Sequence, residues 1–156
     1  DRSPSRGLGD VYKRQMENRD NSRTPMQWTN EVNGGFTEGT PWFPVNPNYK
    51  TINVAQQSED SDSVLNFYKR LIKIKKSDDI YTYGEFNLID DANENIFAYT
   101  RKLNNKTVLV AGNLTDHVAS LNLPFEVEPS QIKLHNYKND LDITNMRPFE
   151  AFVAEL

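Results

Sequence analysis

Cysteine is missing altogether from the 156 residues, which excludes disulfides and thiolate metal sites. Long apolar runs are missing too, and none approaches the roughly 20 residues a helix needs to cross a bilayer. Nor is there an excess of positive charge. The 18 lysines and arginines are outnumbered by 22 acids for a net charge of -4, and the bases are interspersed among the acids. That pattern excludes the positive surface a phosphate backbone demands, so no nucleic-acid partner is expected. Histidine occurs twice, at His117 and His135, with no partner at metal-ligand spacing and no zinc or EF-hand pattern around it. Both histidines read as hydrogen-bonded structural groups, and neither a metal nor a cofactor is expected. Together these absences lead to the expectation of a cytoplasmic protein with no membrane segment.

What is present fits a globular chain with a modest core, at 37% apolar and 26% charged residues. The first stretch, Asp1 to Gln15, places Arg2, Arg6, Lys13 and Arg14 among Ser, Pro and Gly, with no apolar period. It reads as a disordered or non-native leader, since 5–15 has the look of translated adapter sequence, and it is set aside from the fold. From Met16 to Tyr49 the chain concentrates both tryptophans, Trp28 and Trp42, with Gly34, Gly35 and Gly39 and with Pro25, Pro41, Pro44 and Pro47. Prolines so spaced forbid a long helix or a central strand. A loop this long and this aromatic is expected to be packed and functional.

Asn53 stands three residues ahead of Gln56, the spacing of a capping box, and Asp60 to Ser63 offers a second helix start. The apolar positions Val64, Leu65, Phe67, Tyr68, Leu71, Ile72 and Ile74 then recur with a helical period, while Lys69, Arg70, Lys73, Lys75 and Lys76 crowd the other side. The spacing predicts one long helix over 61–76 with a single broad buried stripe. Beyond it the segments 80–83, 85–89, 96–101, 107–112, 118–123, 131–136 and 148–156 are short and rich in aromatic and β-branched residues, which predicts strands. Asn104 and Asn105 suit a tight hairpin turn. Thr107 to Gly112, continuously apolar, is the expected central strand. The expected architecture of 78–156 is a small antiparallel β-sandwich.

The chemistry is sought in Arg19-Asp20-Asn21-Ser22-Arg23-Thr24-Pro25-Met26-Gln27-Trp28. Arg19 and Arg23 each carry a permanently charged planar fork suited to a carboxylate or to paired hydroxyls. Trp28 and Trp42 are possible aromatic contacts for a sugar ring, although tryptophans in packed loops are more often core anchors. On composition alone this remains a polar loop with structural ion pairs.

The string itself carries more. With Gly35-Phe36-Thr37, Pro41-Trp42, Val45-Asn46-Pro47-Asn48-Tyr49 and Ile52-Asn53-Val54 following in order, it resembles the late segment of the oligo-1,6-glucosidase, dextran glucosidase and trehalose-6-phosphate hydrolase group of the α-amylase superfamily, glycoside hydrolase family 13. The departures are small: Ser22 stands where the family usually has alanine, and Asn33-Gly34-Gly35-Phe36 where it often has Asn-Ala-Gly-Phe. The resemblance covers about 16–156. It implies a fragment in which 16–77 forms the end of a (β/α)8 barrel, loop region and last helix, and 78–156 the C-terminal β domain. It further implies an exo-acting, retaining α-glucosidase that cleaves α-glucosidic bonds, α-1,6 in the first place, at the non-reducing end of short glucans.

The resemblance also implies that the catalytic carboxylates lie upstream, so no catalytic residue is assigned here and the chain alone is expected to be inactive. Arg19 aligns with the arginine that binds the far hydroxyls of the terminal glucose, and Arg23 is its support or a wall of the leaving-sugar site. The expected partners are an oligosaccharide substrate and the remainder of the barrel. Trehalose-6-phosphate hydrolase and a sucrose-type α-glucosidase are the nearest alternatives, and a non-catalytic carbohydrate-binding or scaffold β module is the alternative of another class.

Overall fold

The computed structural model describes residues 22–138 and 141–156, so the leader 1–15 and Arg19 lie outside the described residues. The chain divides into two compact units, residues 1–66 and 67–156, with the boundary inside one helix. Among the described residues no helix is long and apolar enough to cross a membrane.

In the first unit a proline-rich loop leads through two short turns, Val32–Gly35 and Pro47–Lys50, into helix α1, Val54–Glu59. Asn53 caps α1 through its Oδ1, which accepts from the Gln56 amide at 3.0 Å, and its Nδ2 donates to Gln56 Oε1 at 2.9 Å. The return bond of the pair therefore runs side chain to side chain and not to the Asn53 backbone amide as in the usual reciprocal box. The long helix α2 runs Val64–Ser77 and starts three residues later than the spacing suggests. Ser63 is its cap, with Oγ accepting from the Asn66 amide at 3.1 Å, while Asp60 turns the chain by accepting from the Asp62 amide.

The second unit is a five-stranded antiparallel sheet with a two-stranded companion. Its strands are β1 Glu85–Ile89, β2 Ile96–Leu103, β3 Lys106–Asn113, β4 Ala119–Ser120, β5 Ile132–His135, β6 Asn145–Met146 and β7 Ala151–Glu155. The large sheet runs β1-β2-β3-β7-β5, and β4 pairs with β6. Asn104 turns the β2–β3 hairpin at φ 54°, a conformation asparagine tolerates. β3 is central, and its alternate residues serve two cores. Leu109 and Ala111 join Ile96, Ala98, Phe152, Ala154 and the small sheet's Ala119 and Met146 on one face. Val108 joins Val153, Leu134 and Ile80 on the other.

Phe67, Leu71 and Ile74 of α2 pack on that second core. Val64, Tyr68 and Ile72 are exposed, at 72%, 60% and 47%. They recur every fourth residue, which places them on one line along the helix.

Three strand expectations are also corrected. Residues 80–83 form a helical turn, α3 Ile80–Tyr83, because Asp78 Oδ1 accepts from the Ile80 amide and the buried Ile80 anchors the turn in the core. Gly84 ends it at a close approach, where a Cβ would stand 2.5 Å from the Ile80 carbonyl oxygen. Only Ala119 and Ser120 of 118–123 pair as a strand, against Asn145 and Met146, which the residue pattern did not mark. The last strand begins at Ala151 instead of Pro148, since Phe149 at φ 53° turns the chain just before it.

Candidate functional site

The loop from Thr24 to Asn53 is tied by its own backbone. Three successive residues, Asn33, Gly34 and Gly35, take positive φ of 55°, 65° and 67°. That curl lets the Gly34 carbonyl accept from both the Trp28 and Thr29 amides, at 2.8 and 3.0 Å. Gly34 is buried, and a Cβ on it would meet Gln27 Cα and Val45 Cγ1 at 3.4 Å, so the glycine serves both φ and close approach. Asn33 Nδ2 then bridges the Thr37 and Gly39 carbonyls at 3.0 and 2.8 Å.

The loop's exit is fixed as well. The Gln27 and Trp28 carbonyls accept from the Val54 and Ala55 amides, so the motif strand satisfies the first free N–H groups of α1. Gln27 Nε2 donates to Asn48 Oδ1 at 2.7 Å and to the Ile52 carbonyl at 2.9 Å. Gln27, Asn33 and Asn48 are thus the residues that hold the loop. Sequence reading did not single them out; the clue within reach was Asn-Gly-Gly, a composition that favours consecutive positive φ.

Of the expected contact residues, Arg19 lies outside the described residues. Arg23 sits in an exposed turn, and its guanidinium has no hydrogen-bond or ion-pair partner among the described residues. Trp28 is held by its backbone while its side chain is half exposed, at 48%. Trp42 is 92% exposed and stands edge-on to Phe43, ring centres 6.3 Å apart. Beside it opens a cleft of about 400 Å³ with Asn33, Thr40, Val45 and Tyr49 among its walls.

The titratable groups of the second unit do structural work. Glu150 is fully buried and accepts from the Arg147 amide at 2.6 Å, from Arg147 Nε at 2.9 Å and from His135 Nε2 at 2.7 Å. Burial pushes its carboxyl up, but the Arg147 side chain, the Arg147 amide and His135 outweigh that and hold it below the usual carboxylate range. Burial and the hydrogen bond to Glu155 push the Tyr81 hydroxyl far up. Hydrogen bonds from Thr144 and Asn145 hold Asp142 down, and those from Asn93 and Asn122 do the same for Asp90. His117 leans on Asp116 at the surface. Among the described residues no cluster of three or more His, Asp or Glu is arranged to hold a metal ion.

The loop's motif and the helix-then-sheet order that follows it are those of one enzyme family. The α-amylase catalytic-domain family matches residues 7–84. The chain belongs to the α-amylase family. Within it the chain is 41% identical over 146 residues to an oligo-1,6-glucosidase of Bacillus cereus, covering 90% of this chain and 26% of that protein. It is 40% identical over 148 residues to a trehalose-6-phosphate hydrolase of Bacillus subtilis, covering 91% of this chain and 26% of that one.

Among solved structures it is similar to a trehalose-6-phosphate hydrolase of Bacillus licheniformis, with a TM-score of 0.78 and 35% identity, over 88% of this chain and 26% of that one. An isomaltulose synthase of Klebsiella gives a TM-score of 0.77 at 32% identity, over 88% of this chain and 25% of that one. The chain spans about a quarter of the length of the curated relatives it matches.

Proposed function

We propose that this chain is the C-terminal part of an exo-acting, retaining α-glucosidase that cleaves α-glucosidic bonds, α-1,6 foremost, at the non-reducing end of short glucans. The observation that carries the reading is the 41% identity to an oligo-1,6-glucosidase over 90% of the chain. In this reading 16–77 is the end of a (β/α)8 barrel and 78–156 a small β-sandwich domain. The partners are the rest of the barrel and the oligosaccharide.

Retention of configuration needs two carboxyls about 5 to 5.5 Å apart across the scissile bond, one attacking and one protonating the leaving oxygen. The upstream barrel strands supply both, so Glu150, committed to Arg147 and His135, has no part in the chemistry. Arg19 holds the outer hydroxyls of the terminal glucose and Arg23 supports it. Such contacts lower KM, and raise kcat only to the extent that they tighten in the transition state.

The test is a chimera in which this chain replaces the corresponding quarter of the Bacillus cereus oligo-1,6-glucosidase, assayed beside the chain alone. The chimera is expected to hydrolyse isomaltose with retention and the chain alone to leave it untouched. Turnover by the chain alone, or a folded chimera without turnover, would overturn the reading. The 40% identity to a trehalose-6-phosphate hydrolase favours a second reading with a phosphorylated disaccharide as substrate. Equal replacement in that enzyme separates the two, through the chimera that keeps the higher kcat/KM.

A further inference from the structure

Asn33-Gly34 is the one Asn-Gly pair in the 156 residues. Asparagine before glycine is chemically labile, because glycine has no side chain to keep its backbone nitrogen from the asparagine carboxamide. The deprotonated Gly34 nitrogen attacks Asn33 Cγ, the new N–C bond closes a succinimide ring, and the Cγ–Nδ2 bond breaks to release ammonia. Water then opens the ring. Addition at Cγ restores the normal chain with aspartate at position 33, and addition at the other carbonyl leaves an isoaspartyl link that runs through Cβ. Water enters, ammonia leaves, and no oxidant or reductant takes part.

The fold blocks every part of the first step. Ring closure needs Asn33 Cβ and the Gly34 nitrogen on the same side of the Asn33 Cα–C bond. At ψ 24°, with Cβ a third of a turn further round Cα than the backbone nitrogen, the two lie almost opposite each other. Turning the peptide group to bring them together breaks two hydrogen bonds at once. The Gly34 amide donates to the Glu31 carbonyl at 2.8 Å, and the Asn33 carbonyl accepts from the Phe36 amide at 3.2 Å. The carboxamide is held as well, with Nδ2 donating to the Thr37 and Gly39 carbonyls at 3.0 and 2.8 Å. Nucleophile, carboxamide and the torsion between them are thus each fixed away from reaction, by bonds that lie wholly within residues 31–39.

We propose that Asn33 is a conformation-gated deamidation site, inert while the curl at 33–35 stands and converted to aspartate or isoaspartate when the curl opens. The conversion is one-way for the loop as well as for the residue. A carboxylate has no hydrogen to give, so the Thr37 and Gly39 carbonyls that Nδ2 held would face an anion. The isoaspartyl link also lengthens the main chain by one carbon at a residue whose positive φ makes the turn. Either product keeps the curl from re-forming, so a transient opening of the loop becomes a permanent one. The proposal involves neither turnover nor a bound sugar and stands apart from the function proposed above.

The whole chain is incubated at mildly alkaline pH in native buffer and in urea above its unfolding midpoint. The peptide spanning 33–34 is then separated by chromatography and mass spectrometry into its asparaginyl, aspartyl and isoaspartyl forms. Conversion is expected to be about tenfold or more slower in native buffer. Gly35→Ala, which strains the same curl at φ 67°, is expected to speed native conversion by about fivefold or more while leaving the urea rate unchanged.

Asn33→Asp reproduces one product directly. It is expected to quicken hydrogen exchange at the Trp28, Thr29 and Phe36 amides by about tenfold or more, since all three bond to carbonyls of the curl. Equal conversion rates in the two solvents, a native rate in Gly35→Ala no faster than in the unaltered chain, or unchanged protection in Asn33→Asp would each overturn the proposal.

Discussion

Glu150 Oε1 lies 2.7 Å from His135 Nε2, joining the residue before β7 to the end of β5, and the carboxylate it belongs to has no exposure to solvent. Arg147 clamps the same carboxylate through its amide and guanidinium, and the Tyr137 ring covers that guanidinium at 4.3 Å. The node closes the turn in which Phe149 takes positive φ, so a charge, a cation and a strained residue sit within four positions.

Removing one partner from such a node leaves the others desolvated and uncompensated. Glu150→Ala is expected to lower the stability of the second unit by about 3 kcal/mol, read as the urea midpoint of the whole chain. Glu150→Gln, which keeps the side chain's shape and one acceptor oxygen, is expected to cost less. A change in midpoint no larger than that of an exposed Glu94→Ala control would remove the node from the account of this fold.

The same carboxylate sets an acid limb. Its folded pKa is depressed, so the stability it contributes is complete above the ordinary glutamate value of 4.5 and is lost as pH falls through the lower folded value. Asp78, Asp90 and Asp142 are held low as well and contribute in the same direction. The difference in thermal midpoint between the wild-type chain and Glu150→Gln isolates the glutamate. It is expected to be constant from neutral pH down to about 5 and to shrink below 4.5. A gap that widens with acidification contradicts the assignment.

Gly35 carries the sharpest local constraint in the first unit. A Cβ there would stand 2.6 Å from Thr29 Oγ1, on a backbone already at φ 67°. Gly35→Ala is expected to cost about 1 to 2 kcal/mol locally, and hydrogen exchange should quicken at the Trp28 and Thr29 amides that share the Gly34 carbonyl. Unchanged protection there would mean that the curl is not what fixes the loop.

The two faces of α2 differ in what they hold. Leu71→Ala removes a side chain packed on the second core and is expected to lower stability by about 2 kcal/mol, while Tyr68→Ala and Ile72→Ser, on the exposed line, should leave the chain's urea midpoint within about 0.5 kcal/mol. Equal losses on both faces would show the exposed line to be engaged within this chain.

Local signals carried much of this molecule in the sequence. The Asn53 cap, the helix over 64–77, the Asn104 turn and the central placement of β3 were all legible, because each depends on side chains within a few residues of the backbone they control. The motif from Arg19 to Trp28, within the stretch that matches the α-amylase family, likewise carries the family resemblance in the sequence itself. Tertiary structure decided the rest. Residues 80–83 have strand composition yet form a helical turn, because Ile80 finds its core among Val108, Leu134 and Val153, all distant in the chain.

β6 exists only because Ala119 and Ser120 lie opposite it, and no period can appear in two residues. Tyr68 and Phe67 are adjacent and equally aromatic, and only the sheet beneath α2 determined which of them is covered. A helical period marks which residues share a face, but it carries no information on how wide the partner surface is. The placement of a charge such as Glu150 in the interior depends on Arg147 and His135 meeting it in space. That meeting is a property of the folded sheet and of no stretch of sequence.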